Sequence, residues 1–267
     1  MSMVLRNPNG AVASVIVAIF LVMAVAGTWL APYDPNELNT GLPIEGPTKE
    51  HWFGTDELGR DQLSRVIDAA GVAMAVSIIS VSLALIVGTG FGILAGYAGG
   101  WTDKVLVRVM DVLFSFPTLL LAIVIVAVLG PGLVTASIAI AIVYTPRFSR
   151  VARGSTLGVK NDLYIEASRL SGVRPIRIAT RHVIPNIAAP MIVLAALSMS
   201  TAQLGYAALS FLGLGTNPPQ ADYGSMLARA RNFMTIAPWM IIFPAIALVL
   251  LIIGFNLLGD ALRDVLD

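Results

Sequence analysis

Asn161-Asp162-Leu163-Tyr164-Ile165-Glu166-Ala167-Ser168-Arg169-Leu170-Ser171-Gly172, continued through Val173-Arg174-Pro175 to Arg181-His182-Val183-Ile184-Pro185-Asn186, is the longest polar interruption in the second half of a very apolar chain. Its pattern predicts two short helices outside the lipid. Asn161 or Asp162 can cap the first, because a side-chain oxygen there accepts from an otherwise unpaired N–H of the first turn. Leu163, Ala167 and Leu170 then share one face, Glu166 and Arg169 can pair on the other, and Gly172 stops the helix. Pro175 starts the second helix at the one position where a missing N–H costs nothing. That helix carries Arg174, Arg177 and Arg181 at near-helical spacing, and Pro185 marks where the chain turns into the next apolar stretch.

The rest of the chain decides what lies on either side of this knuckle. With 57% hydrophobic and 12% charged residues and a mean hydropathy of +0.82, the chain is too apolar for a soluble domain and reads as an all-α integral membrane protein. The absence of cysteine excludes disulfides, thiolate metal sites, iron-sulfur clusters and cysteine nucleophiles. No glycine-rich stretch ends in Gly-Lys-Ser or Gly-Lys-Thr, so the chain has no P-loop and cannot hydrolyse ATP by that route.

Six apolar stretches are long enough to be spans. The first covers 10–30 between Arg6 and the interfacial Trp29, Pro32 and Tyr33; a cleavable signal peptide imitates the same pattern, and a retained span is expected. A polar, mostly acidic segment, 31–70, follows and belongs outside. In it Gly54 and Gly59 allow tight turns and Asp61 can cap the next helix. A metal site built on His51 and the acids is weighed against a solvated loop, and the loop is preferred because no two histidines share ligand spacing. The second span, 69–102, is uncharged, and Gly88, Gly92, Gly96 and Gly100 form a small-residue ridge for close helix contact.

The third span, 112–129, is bent at Pro117 and entered through Asp103, Lys104, Arg108 and Asp111, with Asp111 expected to pair with Arg108. Gly130-Pro131-Gly132 turns the chain into the fourth, 133–147, whose end carries Arg147, Arg150 and Arg153. The fifth, 184–209, holds Gln203 and Tyr206, which either face a translocation path or hydrogen-bond a neighbouring helix. A half-apolar loop from Phe211 to Leu227 suggests a re-entrant scoop, and the sixth span, 236–258, ends in a short polar tail at Gly259-Asp260.

Here a family resemblance enters. Glu166-Ala167-Ser168, three residues, Gly172, nine residues and His182-Val183-Ile184-Pro185 resembles the cytoplasmic loop motif of ABC-importer permeases. Ser168, His182 and Ile184 depart from the general pattern, where alanine, isoleucine and leucine are usual. Arg181-His182 with Pro185-Asn186 is instead similar to the variant in dipeptide, oligopeptide and nickel permeases. His51-Trp52-Phe53-Gly54-Thr55-Asp56-Glu57-Leu58-Gly59-Arg60-Asp61, the 211–227 loop and the tail resemble the same group, and the whole looks like its C-type second permease.

The resemblance implies a type I ABC-importer (MetI-like) permease fold, with residues 1–70 as first helix and external loop and 71–267 as a five-helix core. Within that core it implies a coupling loop, 153–183. It implies that Leu163, Glu166, Ala167, Ser168, Arg169, Leu170, Gly172 and Pro185 form the element gripped by the ATPase. It further implies a homologous second permease, two ATPase subunits or one fused ATPase that bind ATP and Mg, and an extracytoplasmic substrate-binding protein. This chain itself then needs no cofactor, and no nucleic-acid partner is called for. Peptide import by alternating access is the expected function. A nickel-chelate importer and, in a different class, an ATP-independent channel or scaffold are the rivals.

Charge gives an independent orientation. With a cytoplasmic N-terminus, twelve of the 17 Lys and Arg fall on the cytoplasmic side: Arg6, Lys104, Arg108, the eight from Arg147 to Arg181, and Arg263. Positive residues concentrate inside, so the Glu166 loop and both termini are expected in the cytoplasm of a prokaryote whose inner membrane holds the protein.

Overall fold

A computed structural model describes residues 8–266, and among these every regular element is helical. The long helices are α1 (Pro8–Leu30), α2 (Gln62–Ala98), α5 (Leu133–Val159), α8 (Ile184–Phe211) and α10 (Trp239–Leu266). Shorter ones are α3 (Gly100–Ser115), α4 (Thr118–Leu129), α6 (Leu163–Leu170), α7 (Pro175–Ile178) and α9 (Tyr223–Ala230). Four helices (α1, α2, the continuous helix Pro175–Phe211, and α10) are long and apolar enough to cross a membrane, and the bent pair α3 and α4 is a fifth if counted as one span. Arg6 lies outside the described residues.

The centre of the fold is the pair α2 and α5, and the reason is legible at Gly88, Gly92 and Gly96. A Cβ on Gly92 would collide with the Ser149 carbonyl oxygen and stand 2.6 Å from Ala152 Cβ; on Gly88 it would stand 2.6 Å from Phe148 Cβ, and on Gly96 2.9 Å from Thr156 Cβ. Without side chains here the two backbones close up, which in lipid is a main source of helix association. Gly100 is not part of this ridge, since a Cβ there meets nothing within 4 Å. The ridge ends at Gly99, whose φ of +66° breaks α2 and begins α3.

The third span differs from its expectation. α3 and α4 are bent by 93° at Phe116-Pro117, so residues 112–115 belong to a helix lying across α4. At ~1.5 Å per residue α4 is ~18 Å long, short of ~30 Å of hydrocarbon. The physical cause lies in the i−1 restriction imposed by Pro117, with Phe116 extended at φ −86°, ψ 139°. α3 is held in place by α5. Arg153 Nε and Nη2 donate to the Asp103 carboxylate at 2.5 and 2.7 Å, and Arg150 Nη2 donates to Asp111 Oδ1 at 3.1 Å. Asp111 thus pairs with Arg150 and not with Arg108, because α5 continues as helix past residue 147 and brings its arginines alongside.

α1 packs on α2 and α10, with Ile16 of α1 against the bare backbone of Gly254. In the segment between α1 and α2, residues 31–50 are exposed or half-buried, as a solvated loop would be, but the end of the segment is not. His51, Asp56, Arg60 and Asp61 are buried, as is Arg65 in the first turn of α2. Asp61 caps α2 by accepting from Ser64 N at 2.8 Å and Ser64 Oγ at 2.7 Å, and also pairs with His51 Nδ1 at 2.9 Å. Gly54 and Gly59 take left-handed φ of +73° and +69°. Trp239 Nε1 reaches the Thr55 carbonyl at 3.3 Å, and Gln62 Nε2 reaches Met240 O at 3.1 Å, so the segment clasps α2 to α10. Asp61→Ala strands these donors in a buried site and is expected to cost about 3 kcal/mol. Thermal unfolding in detergent checks it, and Asp61→Asn, which keeps one acceptor, should recover part of the loss.

The scoop between α8 and α10 contains α9. Its carboxylate cap, Asp222, is buried and accepts from Ser210 Oγ, from Thr216 Oγ1 at 2.6 Å and from Ser225 N at 3.0 Å. Tyr223 Oη donates to Val66 O at 3.1 Å. These bonds fold the segment back onto α8 and α2.

Candidate coupling loop and translocation cleft

The knuckle of residues 161–186 is built on three buried anchors. Ile165, Ile178 and Val183 are each 0% exposed and join the core beneath α5 and α8. Asp162 stands at the N-cap of α6 in extended conformation without a side-chain cap bond. Gly172, at φ +75°, allows the left-handed turn that ends α6, with Val173 N donating to Ser168 O at 3.1 Å. Arg169 does not pair with Glu166. It turns to the end of α2, where its guanidinium lies 4.6 Å from the Tyr97 ring and Nε donates to Tyr97 Oη at 3.1 Å. Cation–π contact explains the preference, since an aromatic face and a hydroxyl are offered together.

The second short helix is not free-standing. α7 begins at Pro175 as expected, then passes through a π-helical turn, Ala179–Val183, directly into α8. Pro185 therefore lies in the first turn of α8 and does not turn the chain. A proline ring crowds the carbonyl four residues back, and the wider π register, with Ile184 N bonded to Ala179 O, makes the room. His182 packs beside Tyr164 at 5.8 Å between ring centroids, and Asn186 Nδ2 bonds both Tyr164 Oη at 3.2 Å and His182 O at 2.7 Å. Partial burial, and then the neighbouring Asp162 carboxylate, hold the Tyr164 hydroxyl above the ordinary phenol range.

What this anchoring leaves outside is informative. Leu163 is 83% and Leu170 85% exposed, and Glu166, Ala167, Arg174, Arg177 and Arg181 are exposed as well; Ser168 is half-buried. Two leucines seven residues apart on α6 share one side of the helix and form an apolar edge with exposed cations around it.

Gln203 and Tyr206 are placed inside the chain. Both are 1% exposed, and Ser77 Oγ of α2 lies 3.1 Å from Gln203 Oε1. The opposite face of α8 is open. Thr201, Leu204, Gly205 and Ala208 line a cleft of about 320 Å³ with Thr118, Leu119 and Ala122 of α4 and Ile140, Val143 and Tyr144 of α5. It adjoins a second cavity of about 240 Å³ that shares Thr118, Val143, Tyr144 and Thr201 and adds Leu113, Phe114, Phe116 and Arg147. Apart from Arg147, the residues of this cleft carry no signal in the sequence; the bend between α3 and α4 brings Leu113, Phe114 and Phe116 to its second part.

A family model described as binding-protein-dependent transport system inner membrane component matches residues 88–267, and one described as the N-terminal TM domain of oligopeptide transport permease C matches residues 3–45. The dipeptide transport system permease protein DppC of Alkalihalophilus pseudofirmus is 42% identical over 98% of this chain and 86% of that protein. The glutathione transport system permease protein GsiD of Pectobacterium atrosepticum is 41% identical over 98% of this chain and 88% of its own length. Among solved structures, the inward-facing MetNI methionine ABC transporter shares the fold at a TM-score of 0.62 and 17% identity, over 76% of this chain and 96% of that one. With the helical fold, the membrane-length helices and the loop at Glu166 in place, the chain belongs to the binding-protein-dependent transport system inner membrane components, as a membrane permease subunit of an ABC importer that is not itself an ATPase.

Proposed function

We propose that this permease imports di- or oligopeptides across the inner membrane by alternating access, driven by a separate ATPase that grips the 161–186 knuckle. The observation that carries the coupling role is the pair of exposed leucines, Leu163 and Leu170, on a helix whose other side is fixed by Ile165. A lever needs both a grip and a rigid root, and the Tyr97–Arg169 contact ties the root to the end of α2. Movement of the knuckle then acts on α2 and, through the glycine ridge, on α5, which forms one wall of the cleft.

Peptides are favoured as cargo by the relatives, whose names specify dipeptide and glutathione transport. We assign the half-path on this chain to the open face of α8 at Thr201, Leu204, Gly205 and Ala208, backed by Gln203 and Tyr206. A homologous second permease closes the path, two ATPase domains supply ATP and Mg, and a binding protein delivers substrate outside. Six spans with both termini in the cytoplasm are supported by the charge asymmetry. In this arrangement the bent pair α3 and α4, taken as one span, and α5 complete the count.

Reconstitution tests the reading. The chain with its operon-encoded partners in liposomes is expected to accumulate radiolabelled dipeptide with ATP inside the equivalent of the cytoplasmic side, and not without ATP. Uptake of nickel chelate but not of peptide would transfer the assignment to the metal importers; ATP-independent flux would point to a channel.

A further inference from the structure

Arg147, Arg150 and Arg153 follow one another at three-residue intervals along α5, so they form one stripe on its surface. Two have carboxylates waiting on α3: Asp103 for Arg153 and Asp111 for Arg150. At the third level α3 supplies no acid. The residues it and the bend place beside Arg147 are Leu113, Phe114 and Phe116, and among the described residues Arg147 has no ion pair. Its side chain is half-buried and lines the cavity that shares Thr118, Val143, Tyr144 and Thr201 with the cleft at the open face of α8.

A guanidinium walled by aromatic and aliphatic side chains gains strongly from an anion, because charge in such surroundings is costly unless paired. The cleft offers it only the hydroxyls of Thr118, Tyr144 and Thr201, which can hydrogen-bond a bound group but leave the charge unmatched. The group lacking on the protein is the one that all linear peptides with a free C-terminus carry. Resting on the peptide-import reading above, we infer that Arg147 receives the C-terminal carboxylate of the peptide as it passes through the cleft. A planar guanidinium presents paired N–H donors to the two carboxylate oxygens. One fixed cation therefore serves peptides of any side-chain composition, while the apolar walls accept the side chains without selecting among them.

The test sets the same peptide as free acid and as C-terminal amide against the wild-type complex, Arg147→Gln and Arg147→Lys, all reconstituted with their partner subunits. Loading of the binding protein with each peptide is measured separately, and uptake is expressed per loaded binding protein. A hydrogen-bonded charge pair contributes enough for roughly a ten-fold effect. The wild type is expected to move the acid about ten-fold faster than the amide, Arg147→Gln to move both at the slower rate, and Arg147→Lys to keep part of the discrimination.

An equal loss of acid and amide uptake in Arg147→Gln overturns the inference and reassigns the residue to an ion pair with the second permease or to lipid headgroups. Unchanged uptake overturns it outright. If the amide does not load, the acid alone decides: Arg147→Lys must then exceed Arg147→Gln severalfold, and equality rejects carboxylate capture. Transport of neither peptide by the wild-type complex, with ATP hydrolysis intact, defeats the peptide reading first and this inference with it.

Discussion

Gly92→Leu is expected to remove most of the folded protein from the membrane, while Gly90→Leu, two residues away on the same helix, leaves the yield unchanged. At residue 92 the first added atom already strikes the Ser149 carbonyl and Ala152 Cβ, which belong to α5 and sit in a buried seam; at residue 90 it meets nothing within 4 Å. A flexible side chain could yield to a new methyl group, but a carbonyl oxygen inside a helix cannot, so α2 and α5 must separate. Overpacking typically costs 1–3 kcal/mol, and at a backbone contact between the two central helices about 3 kcal/mol or more is expected. Gly92→Ala should show the smaller version. Monodisperse yield and thermal unfolding in detergent measure all three, and equal behaviour of the 90 and 92 variants would mean that α2 and α5 are not in direct backbone contact.

The second large effect is functional. Replacing Leu163 and Leu170 together by glutamate should abolish ATP-driven uptake and detach the ATPase, with the thermal stability of the permease unchanged. Both side chains stand in the open, at 83% and 85% exposure, so the chain loses no packing when they are changed. Buried anchors at a protein interface commonly contribute 2 kcal/mol or more each, and two of them remove roughly a thousand-fold in affinity. Ile165→Glu is the contrast: that side chain is fully buried, and its replacement should destabilise the loop itself. Co-purification of the ATPase through a tag on this chain reads the difference. If the double variant still retains its ATPase and transports normally, the grip lies elsewhere on the knuckle.

In the coupling proposed above, the two experiments probe the two ends of one connection. Charge on the leucines disables the handle, whereas bulk at Gly92 splits the shaft. A milder lesion between them, at Tyr97, should leave the ATPase bound and the helices packed but weaken the link of Arg169 to α2.

Hydropathy and charge alone carried the reading to a multi-pass helical membrane protein with a charged knuckle between apolar stretches, because lipid leaves helices as the economical way for such segments to satisfy their backbone polar groups. The same sequence-level logic found the cap at Asp61, the stop at Gly172, the start at Pro175 and the packing role of Gly88, Gly92 and Gly96. These depend on local backbone chemistry or on a periodic absence of side chains, both of which are written along the chain. What needed the third dimension was every choice among partners. Arg169 had Glu166 three residues away and took Tyr97; Asp111 had Arg108 three residues away and took Arg150. In each case a group from another helix offered better geometry than the neighbour in sequence, and no local pattern announces it. The burial of His51 and Asp61 and the continuous run from α7 into α8 were likewise decided by packing. A bend at Pro117 was legible from the proline itself, but its 93° size was not, since the angle between two helices depends on the surfaces that meet as well as on the residues that join them.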